Sequence, residues 1–316
     1  MGASMRIFVT GGNGFLGSHL VSKLKDDGHL VVSLVRDYKV PAAYVDVTVL
    51  GNLSDRVLLE RVLRQYEIDV VYHLASQTQV TVANESPIDT FESNIRGTWN
   101  LLEACRLYGK CKRVIVASSD KAYGPCSRPY VEDDRLAGEH PYDVSKSCAD
   151  LITTAYHKTY GLPTVTARCS NLYGPGDMNW KRLIPRLMRH VFCGEKVTLR
   201  NNGAMKRDFL FVNDAVWGYV SLMSPEAKDG EAYNFSADSD ASIRLVADAV
   251  LRIAGCNEPY RLDSAAGGEI ESQSMDHSKA TRDLGWRPGF TIAGGLASTI
   301  PWYGSLLGKG RVEVFS

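Results

Sequence analysis

At 316 residues, with 44% hydrophobic and 23% charged side chains, the chain can bury a full core as one large α/β unit or about two domains. Lysine plus arginine equals aspartate plus glutamate at 36 each, so no net field argues for a nucleic-acid partner or a membrane surface. No apolar run nears the roughly 20 residues of a membrane span.

The first segment, Ile7-Phe-Val-Thr10, reads as a short buried strand. It is too short for a secretory leader and runs straight into glycines, so a cytoplasmic protein is expected. Gly11-Gly-Asn-Gly14-Phe15-Leu16-Gly17 follows, then a helix through about Lys25. The three glycines are spaced GxxGxxG, one residue wider at the first gap than the common dinucleotide fingerprint. Glycine there allows a tight turn and close backbone approach to a pyrophosphate, and the helix start supplies N–H donors and a positive dipole end.

A second strand, Leu30–Val35, ends in Arg36-Asp37, about 20 residues beyond Gly17, where the adenosine ribose is read. The carboxylate of Asp37 favours NAD and the guanidinium of Arg36 favours NADP, so both cofactors stay open on these residues. A third strand is expected near Ala43–Val47. Ser54 is the expected N-cap of an amphipathic helix, Val57–Tyr66, with leucines at 58, 59 and 63 on one side. A fourth strand, Val70–Leu74, contains His73, which its apolar neighbours mark as structural rather than catalytic. Ile95, Trp99, Leu102 and Cys105 recur at helical spacing.

The strand Val114–Ala117 ends in Ser118-Ser119-Asp120-Lys121, which places hydroxyls, a carboxyl and an amine at its mouth. Tyr142 and Lys146 open a later helix and share one of its faces. Another strand is expected at Thr164–Arg168. Strands alternating with helices in this way predict an α/β fold, a Rossmann-type doubly wound parallel sheet.

Beyond Arg168 the texture changes to a loop rich in turn residues, Asn171 to Asp177. Arg182, Arg186, Arg189, Arg200, Lys206 and Arg207 then fall within 26 residues, a positive patch suited to a diphosphate. Ala241–Ala254 reads as an amphipathic helix capped by Gly255, and the rest closes a smaller C-terminal α/β lobe. The seven cysteines show neither CxxC nor metal-ligand spacing, so free thiols and no metal site are expected.

Gly11-x-x-Gly14-x-x-Gly17 with Tyr142-x-x-x-Lys146 resembles the extended short-chain dehydrogenase/reductase family. His73-Leu-Ala-Ser, Asn94-x-x-Gly97-Thr, Asn171-Leu-Tyr-Gly-Pro and Arg207-Asp-Phe are similar to its nucleotide-sugar epimerases and dehydratases, over residues 5 to about 304. Ser118-Ser-Asp-Lys-Ala-Tyr-Gly124, the Tyr142 segment through Asp150, Gly176 to Pro185, and Glu269-Ile-x-x-Gln273 resemble the CDP-glucose 4,6-dehydratase subgroup. The resemblance implies a dinucleotide-binding domain of residues 1–168 plus about 209–236. About 169–208 and 237–316 would form the nucleotide-sugar-binding lobe.

Tyr142 is implied to be the acid/base on the sugar's 4-hydroxyl. Lys146 would contact the nicotinamide ribose and lower the phenol's pKa, and Ser119 would hydrogen-bond the 4-oxygen. Asp120 would protonate the departing 6-hydroxyl and Lys121 would remove the C5 proton, a pair that a 4-epimerase does not need. The cofactor is implied to be tightly held and self-recycled, with NAD favoured by Asp37 and the subgroup likeness. Besides the glycines, Arg36 and Asp37, the cofactor contacts implied are Phe15, Leu16, Asn52, Leu53, Leu74 and Ala75. Gln77, Asn94, Ser118 and Cys169 complete them. The implied substrate contacts are Gln79, Asn171, Arg182, Arg207 and Glu269, with Leu183 and Arg200 flanking the base. Helices over 94–108 and 142–158 would pair into a homodimer. The competing readings are a UDP-glucose-type 4-epimerase and, more remotely, a non-catalytic NAD(P)-binding regulatory protein.

Overall fold

The computed structural model describes residues 4–37, 45–237, 239, 241–264 and 271–308. In the first half the elements are β1 (Arg6–Thr10), α1 (Phe15–Asp26), β2 (Leu30–Val35), β3 (Val47–Leu50), α2 (Arg56–Gln65) and β4 (Val70–His73). Short helices α3 (Val80–Glu85) and α4 (Pro87–Phe91) lead through a π turn, Glu92–Arg96, into α5 (Gly97–Tyr108). There follow β5 (Arg113–Ser119), a 3-10 turn (Asp120–Tyr123), α6 (Pro141–Tyr160), β6 (Thr164–Cys169) and β7 (Asn171–Tyr173). The second half holds α7 (Leu183–Cys193), β8 (Thr198–Leu199), β9 (Lys206–Arg207), β10 (Phe209–Phe211), α8 (Val212–Ser221) and β11 (Ala232–Phe235). It ends with β12 (Ala241–Ser242), α9 (Ile243–Ala254), β13 (Arg261–Leu262), β14 (Ser272–Gln273), α10 (Ser278–Leu284) and α11 (Ile292–Leu307).

Seven strands form one sheet in the order β3-β2-β1-β4-β5-β6-β11, all paired in parallel. Its inner strands are continuous apolar runs because helices cover both faces. On one face α2 and α5 bury Leu59, Leu63, Leu101 and Leu102; on the other α1 and α8 bury Leu20, Leu24, Ala215 and Tyr219. Strand order reverses between β1 and β4. In such sheets the crevice beyond the carboxyl ends at this reversal is where ligands sit. A third core gathers Leu187, Met188, Val246, Val250, Leu296 and Tyr303 from α7, α9 and α11. β10 feeds two cores, with Leu210 in the sheet's core and Phe209 and Phe211 in the third.

Several local expectations are corrected. The third strand lies at Val47–Leu50, where β-branched residues pair with Val32–Val35, rather than at Ala43–Val47; residues 43 and 44 lie outside the described residues. The cap of α2 is Asp55, not Ser54, because the helix starts at Arg56 and the Asp55 carboxylate accepts the Leu58 N–H at 2.9 Å. Trp99 is 42% exposed while Leu102 and Cys105 are buried. Trp99 follows the π turn within regular α5, at the edge of the stripe formed by Thr98, Leu101, Leu102 and Cys105. The helix expected from Ala241 begins at Ile243, since Ala241 and Ser242 pair with β9 and Ser242 caps α9. Among the described residues no helix is long and apolar enough to cross a membrane.

Candidate active site

One cleft of about 1070 Å³ opens at the carboxyl ends of β1, β2, β4, β5 and β6 and extends under the third core. Its far end is the glycine loop. Gly11 has a φ of +76°, and a Cβ there would come within 2.9 Å of the Ala75 backbone. At Gly17 a Cβ would collide with the Gly11 carbonyl oxygen. Gly14 is the N-cap of α1, with no side chain covering the first-turn N–H groups. A narrow backbone cradle below an open 12-residue helix end suits a pyrophosphate. The buried hydroxyl of Ser118, on the same wall, makes no hydrogen bond within the protein. The residues present therefore fit a dinucleotide.

Arg36, Asn52, Leu53, Leu74, Ala75 and Cys169 line the cleft with Gly11, Gly14, Phe15, Leu16 and Gly17. Asp37 is not on its wall, whereas Arg36, just past β2, is. Gln77 and Asn94 also stand behind the wall. Asn94 is buried, accepts from the Gln77 N–H at 2.7 Å, and donates to the Gln77 carbonyl and to the Ser145 hydroxyl, each at 2.9 Å. It fastens the segment after β4 to α6. His73 is buried between the hydroxyls of Thr10, at 2.9 Å, and Thr98, at 3.0 Å. Burial, and then the charge of Lys146, push its pKa down to about 3, so it stays neutral as part of the scaffold.

The reactive groups meet on the cleft floor. Ser119 ends β5 and caps the 3-10 turn, donating to Asp120 Oδ1 at 2.8 Å while accepting from the Lys121 N–H. Asp120 is buried and its Oδ2 lies 2.9 Å from Lys121 Nζ. α6 starts with proline at its first position, where no N–H is needed. That sets Tyr142 and Lys146 one turn apart, both buried. Burial raises the Tyr142 phenol to about 12, against which Arg182 and the Ser119 hydrogen bond pull downward; the Asp120 charge adds to the rise. Arg182, which lines the same cleft, is thus a cation that favours the Tyr142 phenolate. Lys146 Nζ is turned to the Ala117 carbonyl at 3.0 Å and Ser76 Oγ at 3.3 Å, and burial lowers its pKa to about 8.

Of the substrate residues, Gln79, Asn171, Arg182, Leu183 and Arg207 line the cleft. Arg200 does not, and Glu269 lies outside the described residues. The six-residue basic patch is likewise corrected, since only Arg182 and Arg207 of its members face the cleft. Arg182 sits at the N-cap of α7, whereas Arg186 and Arg189 continue down the helix; Arg189 pairs with Glu195 and lies over Trp180. Sequence reading missed Ser76, the buried Asp177 that pairs with Arg182 at 3.2 Å, and the bond from Lys181 Nζ to Thr81 Oγ1 at 3.2 Å. Asp177 could have been found, since it closes the turn-rich loop just before the arginines. All seven cysteines are free, and no His/Cys/Asp/Glu cluster among the described residues could hold a metal.

Residues 7–236 match the profile of the NAD dependent epimerase/dehydratase family. The chain is 29% identical to the CDP-glucose 4,6-dehydratase of Salmonella typhimurium, covering 94% of this chain and 90% of that protein. Its structure is similar to that of the dTDP-glucose 4,6-dehydratase of Streptomyces venezuelae with NAD and TYD bound. There the TM-score is 0.88 at 30% identity, over 96% of this chain and 98% of the other. It is similar also to the UDP-glucose 4-epimerase of Thermotoga maritima with UDP-glucose, with a TM-score of 0.89 at 26% identity over 96% and 100%.

Proposed function

This chain belongs to the NAD dependent epimerase/dehydratase family, and we propose that within it the protein is a nucleotide-sugar 4,6-dehydratase. It would convert an NDP-hexose, with CDP-glucose favoured, to the NDP-4-keto-6-deoxyhexose. The observation that carries this reading is Asp120 and Lys121 lining the same cleft floor as Tyr142. An exchange of configuration at C4 needs no second acid and base there, whereas loss of water across C5 and C6 needs both.

The cofactor proposed is NAD, held by the glycine loop and the open end of α1, with Arg36 beside the adenine; NADP is the variant that Arg36 would admit. When bound, the nicotinamide supplies a reversible hydride acceptor, which makes it a resident group rather than a consumed one. Tyr142 takes the proton from O4, with Ser119 holding that oxygen. Lys121 takes the proton from C5, made acidic by the neighbouring ketone, while Asp120 gives a proton to the departing O6. The observed ion pair differs from the required neutral amine and carboxylic acid by one proton shifted across 2.9 Å. After the elimination the same two groups stand again as ammonium and carboxylate, and the product would be completed as the hydride taken from C4 is returned to C6 and the Lys121 ammonium gives a proton back to C5. Arg182 and Arg207 would hold the diphosphate by their planar donors.

A 4-epimerase is the second reading, favoured by the likeness to the Thermotoga maritima enzyme and by an Asp120–Lys121 pair that a purely structural loop would also make. We further propose a homodimer through α5 and α6, because Trp99, Leu107, Leu151 and Tyr160 on these helices are exposed. The free thiols suit a cytoplasmic protein. Incubation with CDP-, dTDP-, GDP- and UDP-hexoses tests the proposal. A 4-keto chromophore in base, with loss of the 6-hydroxyl by mass, is the expected result. An epimerised sugar of unchanged mass would instead establish the second reading.

A further inference from the structure

Lys121 is held from two sides. Asp120 belongs to its own 3-10 turn, but the other partner is Gln273, 152 residues further along the chain. Gln273 is 3% exposed, and its Oε1 accepts a hydrogen bond from Lys121 Nζ. An ammonium can only donate, so the carbonyl end of this amide must face it. Asp143 on α6 is a further charged group that feels Lys121, and the Tyr130 phenol lies beside the Gln273 amide.

The backbone that presents Gln273 is pinned on both edges. β14 pairs in parallel with β9, where Gln273 stands opposite Arg207, and the Asp208 N–H donates to the Gln273 carbonyl at 3.2 Å. On its other side the Tyr130 N–H donates to the Ser274 carbonyl at 3.0 Å. Side chains alternate along an extended strand, and Ser272 and Ser274 line a separate surface cavity of about 380 Å³. Gln273 alone of the three turns inward to the catalytic turn. One short segment thus joins the residue opposite Arg207, a cleft residue, to the amine at the other end of the substrate space.

We infer that Gln273 is a positioning residue that aims the Lys121 amine at C5 and ties that aim to the strand carrying Arg207. This rests on the assignment of Lys121 as the C5 base. In that step the amine lone pair takes the C5 proton, and the C–H electrons become the C4–C5 double bond of an enolate. A carbonyl oxygen that holds the amine by one N–H fixes where its lone pair points once it is neutral. Without Gln273 the side chain would swing on its flexible stem while still paired to Asp120.

The step can be isolated. The 4-keto-6-deoxy nucleotide sugar already carries the ketone, so its C5 hydrogen should exchange with deuterium from D2O on the wild-type enzyme, read by NMR. Gln273→Ala should slow that exchange by ~10², with the KM for the nucleotide sugar within about twofold of wild type if aim alone is lost. Gln273→Glu keeps the acceptor and adds a charge that favours the ammonium, so exchange should return with its rise moved to higher pH. Exchange at the wild-type rate in Gln273→Ala would overturn the inference alone. So would parallel losses of exchange, substrate affinity and melting temperature, or a Gln273→Glu profile that does not move. If the wild-type enzyme itself exchanges no C5 hydrogen, Lys121 is not the base, and the dehydratase reading falls together with the role given to Gln273.

Discussion

Two lysines stand on the same floor and are kept in different ways. Lys146 donates to Ala117 and Ser76, both at the ends of main-sheet strands, and is set by burial. Lys121 is more open, with 20% of its side chain exposed, and is set by a carboxylate and by an amide from the C-terminal lobe. On the proposed assignment, the groups for the C4 oxygen come from β5 and α6, while the C5 base depends also on Gln273 of β14. A family can keep the first set while changing the second. On the proposed roles, a change confined to the second set would switch one fold between rotation at C4 and elimination of water.

The sharpest way to break the comparison is to disable each side in turn. Tyr142→Phe removes the proton acceptor at O4, so C4 oxidation and all later steps should fall together by ~10²–10⁴. Asp120→Asn should lower product formation by a similar ~10²–10⁴ but leave C4 oxidation slow and visible, as lasting absorbance of the reduced nicotinamide at single turnover. Full dehydration by Asp120→Asn would remove Asp120 from the mechanism and erase the distinction between the two ends.

The legible part of this site was local. The strands at β2, β5 and β6, the glycine loop and the Tyr142 helix face each announce themselves within a few residues, through apolar runs or fixed spacing. Trp99 shares helical spacing with Leu102 and Cys105, yet it sits at the edge of the buried stripe of α5, and spacing alone does not set how wide that stripe is. Arg186 and Arg189 were visible as charge, but which face of α7 they take is decided by packing against the third core. Asp37 and Arg36 are adjacent just past β2, and the local backbone there, not the residue types, decides which lines the cleft. Gln273, which holds Lys121, and Thr81, which holds Lys181, lie 152 and 100 residues away from them, so no local pattern could reveal them.

A milder test concerns stability rather than rate. Lys146 has a folded pKa near 8, below its ordinary 10.5, so the folded state resists its charge. The sign follows: the penalty is full below pH 8, fades as pH rises toward 10.5, and is gone above it. Its size is on the order of 3 kcal/mol at neutral pH, partly offset by the two hydrogen bonds it makes. Lys146→Met should therefore abolish turnover yet raise the stability of the cofactor-free protein at pH 7 by ~1–3 kcal/mol. In denaturant titrations that gain should shrink between pH 8 and 10.5. A destabilised variant would mean that the bonds to Ala117 and Ser76 outweigh the buried charge, and that Lys146 is a structural anchor as much as a reactive group.

The smallest effect is expected at the cleft's rim. Lys181 Nζ reaches Thr81 Oγ1 at 3.2 Å, joining the loop before α7 to α3 across the mouth. Both residues are exposed, and water competes for each partner, so the bond is worth only about 0.5–1 kcal/mol. Lys181→Ala should raise the KM for the nucleotide sugar by about two- to fivefold and leave kcat unchanged, because the groups on the floor do not depend on it. High salt should not reproduce the effect, since the partner is a hydroxyl rather than a charge. A tenfold or larger fall in kcat would show that closing the rim, rather than proton transfer at C5, limits turnover. The contrast between the two lysines on the floor would then matter less than the contact above them.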